Sequence, residues 1–280
     1  MTAPLAPRAR RSYALGSVAT GTFGTVPGLL LLPYLTDTLG IAALVAGFIV
    51  FAPKAWDVVL NPIAGRVSDR STSARGRRRP FLFWGGIALA GCFALLFAGP
   101  GEPAALAGTW VVIAFLGCAS AYAFFQVPYV AMPAEMTSDY DERTRLMTWR
   151  VAVLALAILV SGATAPAVRD AVGGHAGYRV MGVYVALLIA VGALGAYAGT
   201  RSAPEIPTAA AAGGIRAQLR LVARVPEFRV LLLTFVLQAL ATGAMLAAVD
   251  YVARYLLGAG GQSGVLFACF VGPALLVSHA

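Results

Sequence analysis

Charge is scarce in this chain. Only 12% of its 280 residues are Asp, Glu, Lys or Arg, where a soluble domain carries about 25%. A water-soluble fold of this size must cover itself with polar side chains, so a soluble enzyme is excluded. The 59% hydrophobic content likewise excludes a disordered chain. Cysteine is nearly absent. Cys92, Cys118 and Cys269 lie singly inside apolar runs, which removes a disulfide scaffold and reads all three as core packing. Histidine occurs only as His175, read as a loop residue, and His279 at the terminus. There is no HExxH, no Ser–His pairing within the apolar runs and no metal-ligand spacing, so neither an enzyme nor a cofactor is expected. The net charge of +9 comes almost entirely from arginines clustered between apolar runs. No aromatic-rich basic surface accompanies them, so no nucleic-acid partner is expected.

What is abundant is long, continuous apolar sequence, with a mean hydropathy of +0.79. An outer-membrane barrel would need short alternating strands. The class that fits is an all-α polytopic membrane protein, with the bilayer as its partner. Each span needs about 20 apolar residues, and eight segments qualify: 13–36, 42–65, 81–99, 105–133, 147–168, 179–199, 229–257 and 263–278. Gly and Pro recur inside them, as membrane helices tolerate. Sixteen of the 21 basic residues fall in the N-terminal tail and in the loops after segments two, four and six. The positive-inside rule then predicts a cytoplasmic N-terminus in the plasma (inner) membrane, with no cleaved signal peptide.

The connection 200–228 is the longest polar stretch. It reads as a cytoplasmic linker between a six-helix bundle at 1–199 and a partial bundle at 229–280. Its basic amphipathic part, Ile215 to Arg224, reads as a helix on the membrane surface. There is an internal echo: Tyr34 to Gly40 (YLTDTLG) and Tyr251 to Gly258 (YVARYLLG) each open into a small-residue helix. Segments seven and eight would thus begin a second copy of the first bundle, expected to pack loosely on the first, and the chain would stop early. A complete eight-helix protein is the alternative.

Three blocks carry a resemblance. The first runs from Lys54 through Trp56, Asp57, Asn61, Pro62, Gly65 and Asp69 to Arg70, followed by Gly76-Arg77-Arg78-Arg79-Pro80-Phe81. The second joins Gln126-Val-Pro128-Tyr129 to Glu135 and the acidic–basic run Asp139 to Leu146. The third is Tyr34 to Gly40. Together they resemble the glycoside–pentoside–hexuronide:cation symporter family of the major facilitator superfamily, over residues 12–258. The resemblance implies two six-helix bundles, alternating access and a midplane site. This chain would supply the first bundle and part of the second, as a monomer when full length. The function implied is secondary transport of a small-molecule sugar or sugar acid. A lipid or amphiphile transporter of the same superfamily and a non-transporting remnant are the alternatives.

A charge at the centre of a membrane helix costs about 2.5–3.5 kcal/mol, so each one needs a reason. Lys54, Asp57 and Asn61 share one helix face at spacings of three and four. Asp57 is either a structural partner of Lys54 or a cation site. In the resembled family an acidic pair on this helix binds the coupling cation; Asp57 matches the first acid and Asn61 replaces the second. A further family acid on helix four falls at Gln126, and one on helix one falls near Gly21. With those carboxylates missing, H⁺ fits better than Na⁺ as a coupling ion, and uncoupled transport stays open. The resemblance also implies that Arg150 contacts sugar and that Tyr122 and Gln126 line the site. Arg150, with few acids nearby, leans towards an anionic substrate such as a hexuronide. Asp69, Arg70, Arg77, Asp141, Glu142, Arg143 and Arg145 are read as a conformational latch. Arg78 and Arg79 are read as fixing topology only, and Asp250 with Arg254 as a helix-surface pair.

Overall fold

The fold follows from long apolar runs that must satisfy their backbone internally. The computed structural model describes residues 6–73, 75–201, 203, 204, 206, 225–258 and 262–277. Eight α-helices make up these residues: α1 (Pro7–Pro33), α2 (Ala43–Asp69), α3 (Arg79–Leu96), α4 (Ala104–Met136), α5 (Tyr140–Val172), α6 (Gly174–Thr200), α7 (Pro226–Tyr251) and α8 (Ser263–Val277). Seven of them are long and apolar enough to cross a membrane. The helices α3 and α5 start two and seven residues before their apolar runs, because local signals set the ends. Pro80 sits in the first turn of α3, and Asp139 caps α5 by accepting from the Glu142 N–H at 2.9 Å. His175 therefore lies in the first turn of α6, where its Nε2 is 3.0 Å from the Tyr34 hydroxyl. The basic stretch 215–224 and His279 lie outside the described residues.

The chain runs up and down, so the described parts of the arginine-rich connections gather at one end, here the basic end, and the others at the far end. The most buried span is α1, which packs on α5 and α6, while α3 packs on α4 and α6, and α2 lies on α4. Small residues bring these helices close. Gly192, Gly195 and Gly199 on α6 face Val18, Leu15 and Ser12 of α1, leaving no room for side chains there. Of the cysteines, Cys118 is buried and Cys92 half-buried, but Cys269 is exposed. Its helix α8 turns only part of its surface to α5, which corrects the core assignment for Cys269.

The sequence echo has a structural counterpart. The helix α1 ends in a π-turn, Tyr34–Thr38, then Gly40 at φ +64°; α7 ends in a π-turn, Val252–Leu256, then Gly258 at φ +61°. The glycines are 218 positions apart. Two contacts between α1 and α7 join residues at this same offset. The Tyr255 hydroxyl donates to Asp37 at 3.3 Å, and Leu246 covers Gly28, where a Cβ would come within 2.6 Å of it. Equivalent residues touch each other, as they do on a two-fold axis.

The helices α7 and α8 are not uniformly loose. Val225 to Met245 stand exposed along the basic half of α7, whereas Val249, Asp250 and Ala253 near its far end are buried. The helix α8 lies on α5, with Phe267 buried over Gly162.

Candidate functional site

Within the spans, four helices of the first bundle present buried polar atoms with no hydrogen-bond partner among the described residues. These are Thr22 Oγ1 on α1, Asp57 Oδ1 on α2, Gln126 Oε1 on α4 and Arg150 Nε on α5. Buried polar groups are normally paired, so four of them in one bundle call for an explanation. Tyr122 lies within electrostatic reach of both Asp57 and Arg150, and its ring packs on Phe23 at 4.6 Å. Beside Phe23, Gly24 faces open space. Asp57 makes no ion pair with Lys54 within 4 Å, although the exposed Lys54 lies within electrostatic reach of it. Asn61 is exposed one turn further on.

Arg150 has no carboxylate within ion-pair distance among the described residues. Its Nη1 makes a weak contact with Met147 Sδ at 3.9 Å, its guanidinium lies 5.4 Å from the centre of the Tyr129 ring, and it also hydrogen-bonds the Tyr129 side chain. Tyr129 is itself locked to α1. The Tyr13 hydroxyl donates to the Tyr129 carbonyl at 3.0 Å, and the Tyr129 hydroxyl donates to the Tyr13 carbonyl at 2.9 Å. Since that uses the Tyr129 proton, Ser17 Oγ must donate to the Tyr129 oxygen, 3.0 Å away. The two rings stack at 4.7 Å, and the absence of a Cβ at Gly16 makes room for the Tyr129 ring.

The basic end holds an ionic cluster, but its membership differs from expectation. Arg78 is its hub. It is buried, reaching Asp69 at 2.7 Å and Glu135 at 2.8 Å, while Arg77 reaches the same Glu135 oxygen at 2.7 Å and Asp69 at 3.9 Å. Arg79 is buried too and donates to the carbonyl of Ala203, just beyond α6. Arg78 and Arg79 thus hold structure as well as charge. Glu142 is buried, 3.9 Å from Arg10 and 3.4 Å from Arg145. Arg143 donates to the Thr137 carbonyl at 3.1 Å and caps α4. Arg70 and Asp141 are exposed, with no opposite charge within 4 Å among the described residues. Each is one residue, or about 100° of helix, away from the neighbour that points inward.

The far end closes on a buried ionic node that corrects the surface reading of Asp250. Asp250 is fully buried. It accepts from Arg169 of α5 at 3.0 Å and from Ser263 of α8 at 2.7 Å, and pairs with Arg254 at 2.9 Å. Arg169 is 2% exposed, grips Asp170 through two bonds of 2.7 and 3.1 Å, and lies 5.5 Å from the Tyr178 ring centre. Nearby, the Thr36 and Tyr251 hydroxyls meet at 2.7 Å. The sequence signal for this node was Asp250 itself, an acid inside an apolar run.

Seven apolar helices of membrane length, with a polar stripe inside the bundle and ionic clusters at both ends, mark a multi-pass membrane protein. The chain matches the family described as MFS/sugar transport protein over residues 12–280, and it belongs to that family. Among its relatives, it is 32% identical over 157 residues to the putative glycoside/cation symporter YagG of Escherichia coli (strain K12), covering 56% of this chain and 34% of that one. The uncharacterized symporter YjmB of Bacillus subtilis (strain 168) is 30% identical over 182 residues, 64% of this chain and 40% of that one. The glucuronide carrier protein homolog of E. coli is 32% identical over 137 residues, 48% of this chain and 30% of that one. The chain thus spans well under two thirds of the curated relatives it matches.

Proposed function

We propose that this chain serves in a secondary transporter that moves a sugar or sugar acid across the plasma membrane by alternating access, coupled to protons through Asp57. The arginine asymmetry supports a cytoplasmic basic end. The observation that carries the reading is the asymmetry of closure. The Asp250 node ties α5, α7 and α8 together at the far end, while the basic half of α7 stands free of the bundle. Unpartnered polar groups lie between the two. A ligand at mid-depth would then meet cytoplasm in this state, and opening of the far node would expose it to the other side. The names of the relatives support sugars and cation coupling, and the lack of a carboxylate within ion-pair distance of Arg150, among the described residues, supports an anionic sugar.

The test is transport by the full chain in proteoliposomes, with 4-nitrophenyl β-D-glucuronide as probe. An imposed proton gradient drives accumulation in the parent. Asp57→Asn abolishes accumulation yet retains counterflow exchange, since exchange needs binding but no net proton movement. Accumulation by Asp57→Asn equal to the parent removes the coupling role. Absence of exchange in the parent removes the transport reading for this chain.

A further inference from the structure

We infer that Tyr129 is a positioning residue that presents the Arg150 guanidinium to the substrate; this rests on the reading of Arg150 as a substrate group. A guanidinium has five N–H donors in a fixed plane. A carboxylate partner would stabilise it but would consume two of them. An aromatic face stabilises the same charge through its quadrupole and consumes none. Arg150 has the second arrangement, with the Tyr129 ring at 5.4 Å and no carboxylate within ion-pair distance among the described residues; besides the long contact to Met147 it spends a donor only on the Tyr129 hydroxyl itself. Its Nε–H is buried and unpartnered. The guanidinium is therefore held in one place with most of its donors left unspent.

The holder is built to stay still. Tyr129 and Tyr13 are fully buried. Two reciprocal hydrogen bonds and the Ser17 contact fix the ring from both its hydroxyl and its backbone. This clasp joins α1 to α4, while Arg150 comes from α5, so three helices set the position of one guanidinium. A ligand carboxylate, or a pair of vicinal hydroxyls, matches the free planar donor set.

The inference predicts a spectroscopic signature independent of binding. In the full chain in nanodiscs, the Arg150 Nε–H resonance, assigned by its loss in Arg150→Lys, is displaced upfield by the Tyr129 ring. Tyr129→Phe keeps that displacement because the ring face stays. Tyr129→Leu abolishes it. Affinity for 4-nitrophenyl β-D-glucuronide falls about tenfold in Tyr129→Leu, the size of a desolvated cation–π contact, and falls less in Tyr129→Phe, which keeps the ring face. The double variant Arg150→Lys/Tyr129→Leu binds no worse than Arg150→Lys, because Tyr129 acts through Arg150. An Nε–H resonance unmoved by Tyr129→Leu, or additive losses in the double variant, overturns the positioning role. A resonance that moves as expected, with glucuronide affinity untouched by Arg150→Lys, overturns the substrate role of Arg150. Should Tyr129→Leu fail to fold, Tyr129→Met removes the ring with less change of volume, and an unchanged Nε–H resonance there overturns the inference.

Discussion

Replacing Asp250 by Asn removes a charge from the far node with almost no change of shape. Asp250 is fully buried and Arg169 nearly so. Breaking one partner of such a buried pair costs about 3–5 kcal/mol, because the remaining charge is stranded. Arg169 keeps its two bonds to Asp170, so the lower figure of about 3 kcal/mol applies. The loss falls only on the far-closed state, which shifts the open–closed ratio by on the order of a hundredfold. Ala253, 1% exposed one turn past Asp250, is a reporter that touches no bond of the node. The reporter variant is Ala253→Cys, in a chain whose three native cysteines are Ser, reconstituted in right-side-out vesicles. A membrane-impermeant maleimide labels it slowly in the parent and many-fold faster with Asp250→Asn. Arg169→Gln accelerates it similarly, and the two together add nothing further, since each alone opens the same node. Labelling by Asp250→Asn within about twofold of the parent refutes the lock. Labelling from the opposite face of the membrane refutes the orientation.

At the basic end, Arg78→Gln removes the buried guanidinium that joins Asp69 and Glu135 at 2.7 and 2.8 Å, leaving both acids to Arg77. The expected loss of about 2 kcal/mol lowers the Tm in detergent by about 5 °C. Arg70→Gln, at an exposed position one residue from Asp69, leaves the Tm unchanged, and an equal fall in both variants removes the distinction between hub and surface charge.

The spans were legible because apolar runs of this length have one stable use. Their ends were not: turns such as Tyr140–Met147 are polar yet helical, set by the Asp139 cap and not by hydropathy. The mid-depth residues Asp57, Gln126 and Arg150 were legible for a related reason, since a polar group in an apolar run stands out against its cost. Their partners were a different matter. Arg78 meets Glu135 57 positions away, Arg169 meets Asp250 81 away, and Tyr129 meets Tyr13 116 away. Sequence periodicity speaks for one helix at a time. Which of three consecutive arginines at 77–79 turns inward depends on the phase of a loop that no period describes. Tyr129 was visible as part of Gln126-Val-Pro128-Tyr129, but its clasp needs Ser17 and Tyr13 from another helix.

Charge is only half of what holds the far end shut; the other half is close approach. Gly162 and Gly264 lie where α5 meets α8. A Cβ at Gly162 would fall on the Phe267 ring, and one at Gly264 on the carbonyl of Ala163. A ring can tilt, but a helix carbonyl is fixed by the backbone on both sides. Gly264→Ala must therefore push α8 off α5, and overpacking of this kind costs about 1–3 kcal/mol. Gly28, on the crossing of α1 and α7, gives a control of the opposite kind. There a Cβ would come within 2.6 Å of Leu246 Cδ2, the far end of a flexible side chain, in a site that is only half-buried. Rotation of Leu246 relieves that contact. Gly264→Ala should then raise Ala253→Cys labelling about five- to a hundredfold with every charge of the node intact, and Gly28→Ala should raise it no more than about threefold. If Gly28→Ala opens the far end and Gly264→Ala does not, closure turns on the α1–α7 crossing, and the packing of α8 on α5 is incidental to it.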